Sequence, residues 1–296
     1  MKRVSPHNFS SRFSKFSRAF VLIVLFSFWP ILTQFSHTDS NELRIWFFDV
    51  GQGDGIFIET PNGKQILIDG GRDKTILEKL SSVMWPWDRT LDAIIATHPD
   101  ADHVTGLVSV LERYNVETIY ETGVRGGTSA IEAFEDAIQQ EDANHSLVRA
   151  GQTVLFDGVL FHVYWPTDQA IQTQTDRNNT SIVIVVEYGA ERILLTGDAE
   201  EMVEHEIEKK MGDVDVLKLG HHGSKTSSSV SFLKSVQPEV AIVSAGLNNS
   251  YGHPHPIVLS RLRELGVRIL RTDVDGDILF KTDGKTFSIE PVFLPF

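Results

Sequence analysis

Thr97-His98-Pro99-Asp100-Ala101-Asp102-His103 packs two imidazoles and two carboxylates into six residues. An apolar run, Leu91 to Ala96, precedes it and reads as a buried strand. Residues 104–111 follow with apolar side chains at helical spacing. The cluster therefore belongs on a loop from the carboxyl end of a strand to a helix, where open α/β sheets bind ligands. A helix amino end also helps keep Asp100 and Asp102 ionised. A solvated polar turn would use the same residue types. Density and placement favour a metal site, and the chain repeats the arrangement downstream.

Moving outward, Leu43–Val50, Ile56–Thr60 and Gln65–Asp69 read as three strands, with a helix over residues 74–83, a βββα unit. Gly51-Gln52-Gly53-Asp54-Gly55 joins the first two strands. It lacks the Gly-Lys-Ser/Thr of a phosphate-binding loop, and a strand follows it, so its glycines serve a tight turn. Asp54 and Asp69 either face a cleft or cap turns, with capping preferred for Asp54. Strands are expected at 118–121 and 158–165, and an amphipathic helix at 129–140. A hairpin, 182–188 with 192–196, ends in Thr196-Gly197-Asp198 before a helix over 199–211. The strand 214–220 runs into His221-His222-Gly223-Ser224-Lys225-Thr226. A helix-strand pair (231–236 and 239–245) leads to Tyr251-Gly252-His253-Pro254-His255, then a helix to about 265 and short antiparallel strands. His145 and His162 are isolated and are read as ordinary surface or core histidines.

Four strand-end loops thus carry the polar load: 98–103, Asp198, 221–222 and 253–255. Imidazole with carboxylate suits Zn²⁺ or Mn²⁺, one ion or two. The chain has no cysteine, which removes thiolate ligands, disulfides and a Cys nucleophile. A Ser-His-Asp triad is the competing chemistry, but no Gly-x-Ser-x-Gly elbow occurs.

The first 38 residues differ from the rest. Residues 1–18 hold Lys2, Arg3, Arg12, Lys15 and Arg18 and no acid, and residues 19–35 are almost wholly apolar. This reads as a transmembrane signal anchor, or a secretory signal, ahead of a domain at 41–296. The positive-inside rule then places the domain on the far side of the membrane, or secreted or periplasmic if the signal is cleaved. Setting those five cations aside takes the formal charge from −13 to about −18. Such a domain repels polyanions at long range, so a nucleic-acid substrate needs metals or a local basic strip.

His98-Pro99-Asp100-Ala101-Asp102-His103, with Leu194–Asp198 and His221–Ser224, resembles the metallo-β-lactamase superfamily. Phe48–Asp54, Leu67–Gly71 and Tyr251–Pro254 further resemble the hydrolase domain of ComEC-type DNA-uptake proteins, across residues 43–278. The resemblance implies a four-layer αβ/βα sandwich with a two-metal edge. It implies His98 on the first ion, Asp102, His103 and His221 on the second, and Asp198 bridging. Asp100 stands where the superfamily has a second His, and Asn178–Ser181 where a further His is usual. The first site is therefore oxygen-rich and is expected to hold metal weakly or to prefer Mn²⁺. Asp102 would orient the nucleophile, and His253 would protonate a leaving oxygen or grip a phosphate. Asp69, Asn179, His222, Ser224, Lys225 and His255 are secondary substrate-binding candidates; Lys225 to Ser228 reads equally as a helix cap. The expected function is a metal-dependent phosphodiesterase or nuclease with DNA as a possible partner. A small ester, lactam or thioester hydrolase is the alternative, and a metal-containing binding protein a third.

Overall fold

The computed structural model describes residues 41–173 and 176–293. The basic and apolar segments at 1–18 and 19–35 lie outside the described residues. Among the described residues no helix is long and apolar enough to cross a membrane.

Two sheets face each other, with helices outside both. The first has the order β15-β14-β1-β2-β3-β4-β5-β6 and the second β13-β12-β11-β10-β9-β8-β7. In the first, β1 (Leu43–Phe47), β2 (Ile56–Glu59) and β3 (Gln65–Ile68) form an antiparallel meander. Then β4 (Thr90–Ile95), β5 (Asn115–Glu121) and β6 (Asn144–Leu147) run parallel to β3. The second sheet has β7 (Thr153–Phe156) and β9 (Val183–Tyr188) each paired antiparallel with β8 (Val159–Trp165) between them. It continues with β10 (Glu191–Leu195), β11 (Val216–Lys218), β12 (Val240–Val243) and β13 (Arg268–Arg271) in parallel. The tail returns as β14 (Asp277–Thr282) and β15 (Phe287–Val292), and β14 pairs with β1.

Alternation builds the layers. Leu43, Ile45 and Phe47 of β1 face Phe161, Ile184, Ile193 and Ile242 of the other sheet in one central core. The opposite faces carry Trp46, Leu67 and Ile94, packed under α1 (Thr75–Val83), α2 (Ala101–Leu111) and α3 (Ser129–Gln140). On the second sheet Val183, Val185 and Leu217 pack under α5 (Glu201–Met211), α6 (Val230–Val236) and α7 (Pro256–Glu264). Two short helices, α4 (Asp168–Thr173) and α8 (Thr272–Asp275), complete the set. A period-2 strand between two apolar layers must be buried on both faces, hence the near-continuous apolar runs.

Most expected elements appear within a few residues of their sequence bounds. One difference bears on the site. α2 begins at Ala101, not 104, because Asp100 after Pro99 supplies an extended N-cap (φ −95°, ψ 150°). Asp102 and His103 therefore sit in the first turn of a helix, held more rigidly than a loop would hold them. β6 and β7 were not legible in sequence. They are short edge strands with mostly exposed or half-exposed side chains, so they carry no periodic apolar signal.

Every polar strand-end loop falls at the same edge, because β1, β3 and β4 point one way and β10 and β11 bring their ends to meet them. Close backbone approaches fix that edge. A Cβ on Gly53 would lie 1.9 Å from the Asp102 carbonyl oxygen, at φ +122°. A Cβ on Gly106 would lie 1.8 Å from the Gly70 carbonyl oxygen. The glycine-rich turn thus seats α2 against β3. Gly53→Ala should displace Asp102 and lower both melting temperature and metal affinity. Calorimetry and metal titration check this, and an unchanged affinity in a folded variant contradicts it.

Candidate metal centre

Three imidazoles converge from both sheets, each oriented from behind. Thr97 Oγ1 donates to Asp69 Oδ2 (2.7 Å) and accepts from His98 Nδ1 (3.1 Å). His103 Nδ1 donates to Asp69 Oδ2 (2.7 Å), and His222 Nδ1 donates to the Ser244 carbonyl (2.9 Å). Each ring thus turns Nε2 into a common space. All three Nε2 atoms are buried and make no hydrogen bond, as is true of Asp198 Oδ1. Buried polar atoms are rarely left unpaired. A metal-binding histidine characteristically has its other nitrogen engaged in this way.

Carboxylates close the ring. Asp198 lies 3.4 Å from His103 Nε2 through Oδ1 and 3.3 Å from His222 Nε2 through Oδ2. Asp102 Oδ2 lies 3.5 Å from His222 Nε2. Three groups of donors, each with its atoms within 4.8 Å of one another, share His103: with His98 and Asp198, with Asp102 and His222, and, behind the ring, with Asp54 and Asp69. Below them Asp54 pairs with Lys218, both fully buried, and Lys218 also donates to the Gly197 carbonyl at 3.1 Å. Asp54 also lies 3.5 Å from His222 Nδ1.

This collection of buried carboxylates demands positive charge. Burial alone would pull His103 and His222 down, but Asp198 with Asp69 or Asp102 overrides it and lifts both well above the ordinary imidazole value. Burial would raise Asp102 and Asp198; the adjacent imidazoles outweigh it and hold both below the usual carboxylate range. His98 goes the other way, to about 4, through burial and the charge of His103. In the metal-free protein, protons on His103 and His222 thus stand in for a cation.

An ion entering must displace those protons, so affinity for Zn²⁺ or Mn²⁺ should rise with pH, and keep rising above pH 6.5. Titration calorimetry in buffers of different ionisation enthalpy should report proton release on metal binding. A pH-independent affinity contradicts this.

The donors present fit a divalent metal: neutral imidazole Nε2 atoms, carboxylates and second-layer partners for each. The match extends to sequence. A family model described as the metallo-beta-lactamase superfamily matches residues 48–246. The chain belongs to the metallo-β-lactamase superfamily. Curated relatives of this metallo-β-lactamase-fold chain include proteins named for competence and for recombination. ComE operon protein 3 of Bacillus subtilis is 33% identical over 275 residues, covering 86% of this chain and 35% of the relative. Competence protein ComA of Neisseria gonorrhoeae is 33% identical over 247 residues, with 81% and 32% covered. Recombination protein 2 of Haemophilus influenzae is 33% identical over 261 residues, with 86% and 31% covered. The chain spans about a third of the length of these relatives. Among solved structures, the metallo-beta-lactamase fold protein YhfI of Bacillus subtilis aligns with a TM-score of 0.57 at 11% identity, covering 81% of this chain and all of that one. Zn²⁺-bound PqqB of Methylobacterium extorquens aligns at 0.51 and 14%, covering 74% and 85%. At these identities they speak to fold alone.

The structure brings together His98, Asp102, His103 and Asp198 from the expected ligand set. It does not bring in His221 or Asp100. His221 has φ +47° and His222 φ +55°, a left-handed pair of residues that turns the second ring inward. His221 is a quarter exposed, its Nδ1 3.1 Å from Glu200 and its Nε2 4.0 Å from Asp198 Oδ2. Asp100 is turned to Arg177, Nε to Oδ1 at 2.7 Å. Of the secondary candidates, Asp69 is a buried brace for His103, and Asn179 Oδ1 holds the Glu200 amide (3.2 Å). His255 caps α7, accepting from the Ile257 amide, and Ser224 Oγ contacts Thr226 Oγ1 (2.9 Å). Lys225 is exposed, and the cap of α6 is Ser229, one residue beyond the Lys225–Ser228 stretch read as a cap.

His253 stands on the rim, its ring 5.3 Å from that of His221 and its Nδ1 buried and unpaired. Burial, with His221 and His222 nearby, lowers it to about 4. It is therefore neutral at pH 7, so it can grip an anion through N–H but is not a charged acid in the free protein. Tyr251 stacks 5.9 Å from it, and Arg72 donates to the Tyr251 hydroxyl (3.2 Å). Sequence reasoning missed Lys218, Arg177 and Arg72. For Lys218 the signal was present: a lone cation inside the apolar run Val216 to Leu219.

Proposed function

We propose that this chain is a metal-dependent phosphodiesterase, a nuclease acting on DNA. The observation that carries the reading is the set of three inward, unpaired Nε2 atoms around Asp198, each ring held by a second residue. A divalent ion held by these residues would supply an acidified water and would stabilise charge developing on a phosphate oxygen. The resemblance to ComEC-type DNA-uptake proteins supports DNA as the substrate class.

His98, Asp102, His103, Asp198 and His222 are the residues that would hold metal, with Asp198 presenting one oxygen to His103 and the other to His222. Asp102, ionised and a fifth exposed, accepts a hydrogen bond from an attacking water and orients it. Arg72 and His253 grip the phosphate on the rim. Arg72 supplies the local positive charge that an acidic domain needs to accept a polyanion, and neutral His253 adds an N–H donor. The acidic surface also favours a second reading, hydrolysis of a small ester, lactam or thioester, since such substrates need no basic track.

Purified protein should cleave single-stranded or double-stranded DNA with added Mn²⁺ or Zn²⁺, and His103→Ala should abolish cleavage. No metal-dependent cleavage, together with turnover of a chromogenic ester or lactam, would favour the second reading.

A further inference from the structure

Asp100 is misused as a helix cap. It occupies the N-cap of α2 with extended backbone, and aspartate there normally accepts from its own helix's first amides. Its carboxylate makes no such bond. It is taken by Arg177, Nε to Oδ1 at 2.7 Å, across 77 residues of chain. Arg177 is presented by a 3-10 turn, Arg177–Thr180, whose start is fixed by Asp176 accepting from the Asn178 amide (3.0 Å). Gly127 makes room for the guanidinium; a Cβ there would lie 2.7 Å from Arg177 Nη1.

Close by, His98 Nε2 and Asp198 Oδ1 are buried and unpaired. With His103 they make three protein donors, which leaves a fourth position open. Asp100, two residues from His98, is the nearest further carboxylate in sequence, yet it is absent from the donors that converge. The guanidinium holds it.

We infer that Arg177 is a latch on the first metal position. It keeps Asp100 off the ion until a phosphate draws the guanidinium away, and Asp100 then joins His98 and Asp198. Both partners are about a third exposed. An ion pair this wet is weak. Guanidinium binds phosphate with bidentate geometry, so a substrate phosphate can outbid a carboxylate held through one nitrogen. Full occupancy of the site is thereby coupled to the presence of substrate, and Arg177 acts as a positioning residue. The competition between Arg177 and the ion stands by itself; its release by phosphate rests on the phosphodiesterase reading.

The test is Mn²⁺ titration of the full chain by calorimetry and by loss of the free-ion EPR signal. Wild type should bind one ion tightly and a second weakly. Arg177→Gln should tighten the weak site by about two- to fivefold, the scale of one exposed ion pair. Arg177→Lys should fall between. Asp100→Asn should weaken the second site and cancel the gain when combined with Arg177→Gln. Dimethyl phosphate should tighten the weak site in wild type and leave Arg177→Gln unmoved. Metal-free melting temperatures close to wild type verify folding. Two equally tight ions in wild type, an unmoved weak site in Arg177→Gln, or a gain that survives Asp100→Asn overturns the latch. No response to dimethyl phosphate overturns release by substrate. A chain with the Arg177→Gln gain that cleaves no DNA sinks the nuclease reading and keeps the latch; cleavage with an unmoved weak site does the reverse.

Discussion

His222→Ala should abolish tight metal binding, while the neighbouring His221→Ala should weaken it by only about 10- to 100-fold, as losing a residue that merely orients a ligand does. The two residues are adjacent and chemically identical, so the difference is purely one of placement. His222 is 1% exposed, with Nδ1 committed to the Ser244 carbonyl and Nε2 within 3.3 Å of Asp198. Removing it deletes a donor and leaves Asp102 and Asp198 facing a cavity. His221 instead ties Glu200 to Asn178 at the margin. Metal analysis and titration of the two variants decide the matter. Equal losses, or a larger loss from His221→Ala, would return the ligand to the first histidine of the pair.

Lys218→Met should be the most destabilising single change at the site. It strands Asp54, which is 1% exposed. Burial would lift the Asp54 carboxyl, and the Lys218 ammonium holds it below its usual value instead. Breaking a buried pair by removing one partner costs about 3–5 kcal/mol. For a domain of this size that is roughly 10–15 °C in Tm. Because Lys218 also lies 4.0 Å from Asp198, metal added to the variant should restore part of the loss. Differential scanning calorimetry with and without Zn²⁺ reads both effects. The double variant Asp54→Asn with Lys218→Met should be more stable than Lys218→Met alone, since no orphaned charge remains. A Tm within 3 °C of wild type for Lys218→Met would mean that the pair contributes little.

Much of the architecture was legible because both-face burial leaves a plain mark. Leu91–Ala96, Ile182–Tyr188 and Arg192–Thr196 read as buried strands from apolar runs alone. His98, Asp102, His103 and Asp198 were legible for a related reason: each follows such a run directly, so its place at a strand end is a matter of counting. Asp54 was read as a turn residue because it lies in a glycine-rich segment; only the tertiary packing puts Lys218 beneath it. Asp69 looked like a contact for substrate. It is instead the brace that sets the His103 ring, because the Gly70–Gly106 approach brings β3 under α2.

Local order in the chain determined the layers, the common edge and the chemistry of the ligands, since strand period and strand-end position are short-range properties. Which of two adjacent histidines turns inward, and whether Asp100 meets an ion or Arg177, was decided only by the folded molecule. The first depends on a pair of left-handed backbone angles, the second on a contact between residues 77 apart in sequence. Neither backbone twist nor long-range pairing leaves a periodic trace in the residues themselves.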